Sequence, residues 1–239
     1  MITQTKAIVL HTLKYNDTSL IAHCYTEVYG KQSFLLKGIL NAKKGGIRKA
    51  YFQALMPLEI QFNHKKKGGL CFLKEVKVLH SYASLHNDIK KNAIVLFLAE
   101  VLHKCLKEEE ANPLLFEFLE NAFLWLDSHQ NTANFHLIFL LKLSKFLGFF
   151  PYLESENALF FNLESGCFTQ NKPLEKHLEG ESVFVLKMLL GMNFEENPFL
   201  KLNQLLRREL LNAIVRYFEL HLLGFSPPKS LSILHEVFD

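Results

Sequence analysis

The sequence predicts an α+β protein in which a small N-terminal β-barrel is followed by an all-α helical bundle that carries one β-hairpin. The first observation is that residues 5–79 consist of short apolar runs separated by turn-rich pieces. The second is that, after residue 79, apolar residues recur with the spacing of helices. The third is a large difference in charge between these two parts. We therefore predict a barrel domain over residues 1–79 and a helical domain over residues 80–239.

Five runs in the first part have the length and composition of β-strands. In residues 57–62, Leu58, Ile60 and Phe62 alternate with Glu59 and Gln61, as a half-buried antiparallel strand requires. Five short strands with one long connection fit a closed barrel of the OB type, although the periodicity alone fits an SH3-like barrel as well. The five runs read KAIVLH, SLIAHCYT, KQSFLL, PLEIQF and LCFLKEVKVL.

Capping signals divide the second part into helices. Asn87 or Asp88 can cap the first helix, and the pairs Asn112-Pro113 and Asn197-Pro198 place a capping Asn before a Pro at the first helical position. The predicted helices span about residues 88–107, 114–128, 132–148, 182–190 and 199–223.

Glycines and a turn motif complete this second part. Gly148, Gly191 and Gly224 stand where a residue in the left-handed conformation commonly ends a helix. Residues 158–169 have strand-turn-strand composition with the turn at residues 164–166, which predicts a hairpin attached to the bundle.

Charge separates the two parts sharply. Residues 1–79 contain thirteen Lys and Arg against four Asp and Glu, about +9, whereas residues 80–239 contain fourteen against twenty, about −6. A basic domain of this size predicts a polyanionic partner, and nucleic acid is the common one.

The basic residues are densest in residues 37–52, which contain no acidic residue and include Gly45 and Gly46. Lysines in such a loop can neutralise phosphates and release counterions, and a neighbouring aromatic ring can stack on a base. Three further lysines at residues 65–67 are either a second contact or the solvated tip of a hairpin. The predicted nucleic-acid-binding residues are Lys37, Lys43, Lys44, Arg48, Lys49, Tyr51, Lys65, Lys66 and Lys67.

Chemistry typical of enzymes is missing from the sequence. It contains no HExxH, P-loop, GxGxxG or GxSxG motif, and its histidines lack a convincing metal-ligand spacing. Cys24, Cys71, Cys105 and Cys167 form no CxxC pair, and no apolar run is long enough to span a membrane. We therefore expect a non-catalytic cytoplasmic protein with free thiols, no metal and no cofactor.

The N-terminal part resembles the bacterial RecO family of DNA repair proteins. The resemblance rests, in order, on AIVLHTLKY, on Ser19 and Leu20, on YTEVYGK at residues 25–31, on LLKG before the basic loop, and on LMPLEI at residues 55–60. It implies an OB barrel followed by a helical domain that binds single- and double-stranded DNA and anneals complementary strands. It also implies cooperation with RecR and the single-strand-binding protein in loading recombinase.

One departure from the family pattern concerns metal. Members of this family commonly carry a four-cysteine zinc knuckle in the helical domain, but the corresponding residues 152–173 contain only Cys167. A single thiolate cannot form a tetrahedral structural zinc site, so we expect the hairpin at residues 158–169 to pack through apolar residues instead.

The acidic helical part is expected to bind proteins rather than DNA. The resemblance implies an apolar pocket edged by basic side chains for the acidic tail of the single-strand-binding protein. Candidates are Lys142 and Lys145, or Arg207 and Arg208, and each pair is equally compatible with an ordinary solvated helix face.

Two other functions remain open at the level of sequence. An OB barrel with basic loops also suits an RNA-binding module. Alternatively, the helical part could be a protein-interaction scaffold whose basic loop only aids solubility.

Overall fold

The computed structural model describes residues 2–41, 47–64, 69–107, 110–153 and 157–238. It divides into two compact units, Met1–Ser128 and His129–Asp239. The N-terminal part of the chain forms a β-sheet and the remainder is mainly helical, which confirms the α+β class. The domain boundary at residue 79 stays a prediction.

The sheet of the first unit has six strand segments in the order β5-β3-β2-β1-β4-β6. The predicted strands are present, but the fifth is divided in two. The long central strand β1 pairs antiparallel with β2 on one side and with β4 on the other. The segments are β1 Ile2–Lys14, β2 Leu20–Thr26, β3 Gly30–Leu36, β4 Pro57–Asn63, β5 Leu70–Cys71 and β6 Leu73–Val78.

The last two segments show how strongly the sheet curls. The short β5 pairs in parallel with β3, whereas β6, only one residue later, pairs antiparallel with β4 at the other end of the strand order. One continuous piece of chain therefore contacts both ends of the sheet, as the curvature of a small barrel requires. The interior contains Phe34 and Phe62, both fully buried, with ring centroids 5.0 Å apart in an edge-on arrangement.

Two helices, α1 Ile89–Cys105 and α2 Pro113–Ser128, complete the first unit. The predicted caps are present: the Asp88 side chain accepts hydrogen bonds from the backbone N–H groups of Lys90 and Lys91. The Asn112 side chain likewise accepts one from Leu115. Both helices begin where the sequence places a short polar acceptor that satisfies otherwise unpaired N–H groups.

Within its described residues, the second unit contains four α-helices and a three-stranded sheet. Its sheet has the order β8-β7-β9, and the predicted hairpin corresponds to β7 and β8. The third strand and the last helix were not predicted. The elements are α3 Phe135–Phe146, β7 Phe160–Asn162, β8 Phe168–Thr169, β9 His177–Glu179, α4 Glu181–Gly191, α5 Gln204–His221 and α6 Ser230–Phe238.

Two predictions about helix ends are wrong. Asn197 does not start α5: it lies in a short 3-10 helix, Phe194–Phe199, and is buried with its side-chain amide donating to the carbonyl of Asn131. The α5 cap is Asn203, whose side chain accepts from the N–H of Leu206. The Asn-Pro pair instead lies near the end of the short 3-10 helix, whose cap is Asn193, and the Asn197 side chain binds a distant carbonyl and does not cap a helix.

Gly191 is the second error, because it is the last residue of α4 and the residue after it, Met192, is extended. Gly148 follows the prediction, with a φ of 84° directly after the α3 cap Leu147. Gly224 also has a left-handed φ, 73°, but it lies three residues after the end of α5, whose cap Leu222 is extended. None of the helices that the structure describes is long and apolar enough to cross a membrane.

Candidate nucleic-acid interface

The described part of the predicted basic loop presents its cations to solvent. Lys37 directly follows β3, and Arg48 and Lys49 lie at the start of a 3-10 helix, Lys49–Phe52; all three side chains are accessible. Lys43 and Lys44 lie outside the described residues. The three accessible cations can therefore meet a phosphate backbone.

An exposed aromatic ring accompanies one of these cations. The Lys37 Nζ lies 4.8 Å from the ring centroid of Phe72, and Phe72 is 45% exposed. A cation beside a partly exposed aromatic ring brings together the two kinds of group that single-stranded nucleic acid uses, one for phosphate neutralisation and one for base stacking.

Phe72 was not among the predicted site residues. In the sequence it belongs to an apolar run, which is typical of the core. The structure exposes it because it is the single residue at which the chain leaves the pairing of β5 and enters that of β6. Only the strand order could have identified it.

Tyr51, the predicted stacking residue, is half-buried in the 3-10 helix, where its backbone N–H donates to the carbonyl of Arg48. The next residue, Phe52, is 4% exposed and anchors this turn in the core. The anchor places Arg48, Lys49 and Tyr51 on one short segment next to the core.

A second aromatic group lies before the lysine run at residues 65–67. The rings of Tyr29 and His64 stack with centroids 3.9 Å apart and an interplanar angle of 11°. Lys65, Lys66 and Lys67 lie outside the described residues, so their role as a second contact stays a prediction.

In the second unit, the two candidate partner-binding pairs, Lys142 with Lys145 and Arg207 with Arg208, have different surroundings. Lys142 is half-buried and donates to the Asn193 side chain at 3.0 Å, and burial, with Lys145 nearby, lowers the pKa of its ammonium group. Lys145 is exposed on α3. Lys142 therefore already has a local partner within its own unit.

Arg207 and Arg208 line a small apolar pocket between α5 and α6. Arg207 donates to the Asn134 side chain and to the carbonyl of Leu202, and its guanidinium lies 6.0 Å from the ring of Phe238. Arg208 is exposed at the pocket edge. The remaining lining residues are His136, Gln204, Leu211, Leu234, His235 and Phe238.

Comparison with known proteins gives two family matches that together cover nearly the whole chain. A family model described as "Recombination protein O N terminal" matches residues 1–82, and one described as "Recombination protein O C terminal" matches residues 86–232. The chain belongs to the RecO family of DNA repair proteins.

Full-length relatives agree with this membership. The chain is 43% identical to the DNA repair protein RecO of Christiangramia forsetii over 238 residues, covering 100% of both chains. It is 40% identical over 235 residues to that of Flavobacterium psychrophilum, covering 98% of each, and 38% identical over 243 residues to that of Bacteroides fragilis, covering 100% of each. Membership of the RecO family gives the chain a role in DNA repair and recombination.

A zinc knuckle, which the RecO family resemblance implies, does not fit the residues present. Cys167 is the single cysteine between residues 152 and 173. Its thiol lies 3.6 Å from the carbonyl of Ser165, while the neighbouring hairpin buries Phe161 and Phe168 with ring centroids 4.7 Å apart. Across the described ranges of the chain, no group of three or more His, Cys, Asp or Glu is arranged to hold a metal ion.

Proposed function

We propose that this RecO-family protein is a DNA-binding recombination mediator that binds single- and double-stranded DNA and anneals complementary strands. The observation that carries the proposal is the group of accessible cations, Lys37, Arg48 and Lys49, together with the exposed ring of Phe72 beside Lys37. The first unit as a whole supports it, because it contains seventeen Lys and Arg against twelve Asp and Glu.

Annealing requires a surface rather than a catalytic group. Two complementary strands repel each other through their phosphates, and bound cations reduce this repulsion while releasing condensed counterions. Stacking on Phe72 or Tyr51 would hold a base without using its Watson–Crick edge, because stacking uses only the face of the base. The proposal therefore assigns no acid, base or nucleophile, and treats the protein as non-catalytic.

For partners, we propose that the α5–α6 pocket receives the acidic tail of the single-strand-binding protein. Two guanidinium groups beside Leu211, Leu234 and Phe238 provide a basic edge and an apolar floor for a peptide that carries both acidic and apolar side chains. Cooperation with RecR in loading recombinase rests on family membership alone.

The test of DNA binding uses salt dependence. Replacing Arg48 and Lys49 with Ala should lower the affinity for DNA. It should also reduce the slope of log K against log salt by about one unit for each phosphate that is no longer neutralised. The matched control replaces Lys201 and Lys229, two exposed lysines of the second unit, with Ala.

A strand-annealing assay with complementary oligonucleotides completes this test. The wild-type chain should accelerate duplex formation, and the Arg48/Lys49 variant should accelerate it less than the control does. Equal affinity and slope in both variants would exclude these residues as the contact. Tighter binding to matched RNA would favour the RNA-binding alternative, and no binding at low salt would favour the scaffold.

The test of the pocket uses Arg208→Ala. Arg208 is chosen because Arg207 also holds Asn134 and Leu202, so removing Arg207 would disturb the fold. A fluorescent peptide with the acidic, apolar sequence of such a tail should bind more weakly to Arg208→Ala, by several-fold, than to Lys145→Ala. The reverse order would assign the contact to α3.

A further inference from the structure

Three imidazole rings from three different elements meet on one face of the first unit. His11 on β1 and His23 on β2 are direct partners in the strand register, and their ring centroids lie 6.3 Å apart. The ring of His103, near the end of α1, lies 4.8 Å from that of His11 and 4.9 Å from that of His23. His11 is exposed, so this histidine cluster reaches solvent.

The groups that face the histidine cluster are mainly cationic. Lys31 on β3 donates through Nζ to the carbonyl of His103 at 2.6 Å. From α1 and the residues after it come Lys104, Cys105 and Lys107, with Lys104 paired to Glu100 at 3.2 Å. The groups that lower the pKa of His23 and His103 electrostatically are Lys31, Lys104 and the other histidines of the cluster, and no carboxylate is among them.

These surroundings keep His23 and His103 uncharged. Burial, followed by the charges of Lys31 and the other two histidines, lowers the pKa of His103 to about 3. Burial, Lys31 and His11 likewise lower the pKa of His23. Both rings are therefore neutral near neutral pH, although each has the capacity to accept a proton.

The hydrogen bonds leave part of this capacity unused. Nδ1 of His23 lies 2.8 Å from the hydroxyl of Ser33, which leaves its Nε2 available. Nδ1 of His103 is buried and has no hydrogen-bond partner within the part of the chain that the structure describes. Those described residues offer no arrangement here that would hold a metal ion, and Lys31 would repel a cation.

We propose that His11, His23 and His103, with Lys31, form a second phosphate-binding site at which binding of the nucleic-acid backbone is coupled to proton uptake. The inference rests on the proposed nucleic-acid function and adds to it a site and a dependence on pH. A phosphate beside the rings of His23 and His103 supplies a negative charge that none of the groups lowering their pKa carries, so bound backbone favours the imidazolium form of these two rings.

The coupling has a definite sign and size. Because the bound state holds more protons than the free state, affinity rises as pH falls, by up to about tenfold per pH unit for each proton taken up. Phosphate contacts made by Lys and Arg add no such dependence in general, because these side chains ordinarily titrate well above neutral pH.

The experiment measures the affinity of the full chain for oligothymidine between about pH 8 and about pH 5.5 at constant ionic strength, a range that brackets the ordinary pKa of His. Wild type should bind more tightly at low pH. The variant His11→Gln with His23→Gln should keep most of its affinity at the upper pH and lose most of the increase. The matched control, His129→Gln with His177→Gln in the second unit, should behave as wild type.

Three outcomes would overturn the proposal. Equal pH dependence in the cluster variant and the control would place the proton uptake elsewhere. Tight DNA binding by wild type without pH dependence would refute this site and leave the proposed function intact. If the chain bound no DNA, the proposed function would fail, and the site would be judged by titrating histidine ring protons with tripolyphosphate, where an unchanged histidine pKa would refute it.

A second variant keeps the test independent of the histidine substitutions. Replacing Lys31 with Met removes a positive charge, so the pKa of His23 and His103 should rise in the free protein and proton uptake on binding should fall. Thermal unfolding and proton NMR spectra report whether each variant is folded. Histidine pKa values in Lys31→Met equal to those of wild type would contradict the assigned cluster.

Discussion

At the scale of single residues, Asp127 connects α2 to the segment that follows the sheet. Its carboxylate accepts hydrogen bonds from the backbone N–H groups of Ala83, Ser84 and Leu85 at 2.8–3.1 Å. The buried Lys91 donates to the Ser84 hydroxyl at 2.7 Å and to the Asp127 carbonyl at 2.8 Å. Burial alone would raise the pKa of Asp127, but the hydrogen bonds together lower it.

We predict that Asp127→Asn destabilises the protein by about 1–3 kcal/mol, because the variant side chain no longer accepts from all of these N–H groups. The folded-state pKa lies below the ordinary value, so the contribution is complete above about pH 4 and disappears as pH falls through the folded pKa. Urea unfolding at about pH 7 should therefore show a larger difference from wild type than unfolding at about pH 3.

The control for this prediction is Glu117→Gln, which changes an exposed carboxylate on the same helix. A loss of stability equal to that of Asp127→Asn, or a difference that grows at acid pH, would contradict the role assigned to Asp127.

At the scale of elements, the β7–β8 hairpin is fixed against α5 by one glycine and one tyrosine. Gly166 has φ +71°, and a Cβ placed on it would lie 2.5 Å from the Tyr217 hydroxyl oxygen. That hydroxyl donates to the carbonyl of Phe149 at 2.6 Å, and burial raises the pKa of Tyr217 to about 12. The hairpin thus packs closely where the family commonly carries a zinc knuckle.

We predict that Gly166→Ala lowers the free energy of unfolding by more than Gly148→Ala, which serves as its control. Both positions have positive φ, but a Cβ on Gly148 would meet no atom within 4 Å, so only the backbone cost of about 1–2 kcal/mol applies there. At Gly166 a steric cost of about 1–3 kcal/mol should be added.

The double variant Gly166→Ala with Tyr217→Phe should lose less stability than the sum of the losses in the two single variants. The reason is that the Tyr217→Phe side chain lacks the hydroxyl oxygen with which the new Cβ would clash. Denaturant unfolding measures these changes in stability. If the losses of stability were additive, or equal for the two glycine variants, the close approach of Gly166 to Tyr217 would not contribute to stability.

At the scale of the whole molecule, the sheet depends on the two helices that follow it. Lys6 on β1 forms a salt bridge with Glu120 on α2 at 3.0 Å. The buried rings of Tyr25 and Phe116 lie 6.3 Å apart. These two interactions join α2 to the sheet, and the Lys31 ammonium on β3 joins α1 to it by donating to the carbonyl of His103, so both helices belong to the same compact unit as the sheet.

We predict that a fragment of residues 1–128 folds and binds DNA, whereas a fragment of residues 1–79 is markedly less stable because Tyr25 and its neighbours become exposed to water. Thermal unfolding by circular dichroism and DNA titration at low salt measure both properties. The complementary fragment, residues 129–239, should bind DNA weakly or not at all, since it contains ten Lys and Arg against twelve Asp and Glu. Equal stability of the two N-terminal fragments would contradict the assigned role of α1 and α2.

The sequence by itself determined the features that depend on nearby residues. Strand alternation in Pro57–Asn63 and the caps Asp88 and Asn112 involve groups within a few positions of one another, so their spacing is visible in the chain. The charge difference between the N-terminal and C-terminal parts is also a property of composition. These local signals were enough for the α+β class and for the position of the basic loop.

Only the tertiary structure decided the features that join distant residues. It exposed Phe72 through strand order, moved the start of α5 to Asn203, and brought His11, His23 and His103 together. Strand register and packing against other elements decide which distant residues become neighbours in space. Neither can be read from the spacing of residues that are close in the sequence. The three histidines are separated by up to ninety-two positions in the sequence, yet their rings lie side by side because β1 and β2 pair at that level and the end of α1 packs beside them.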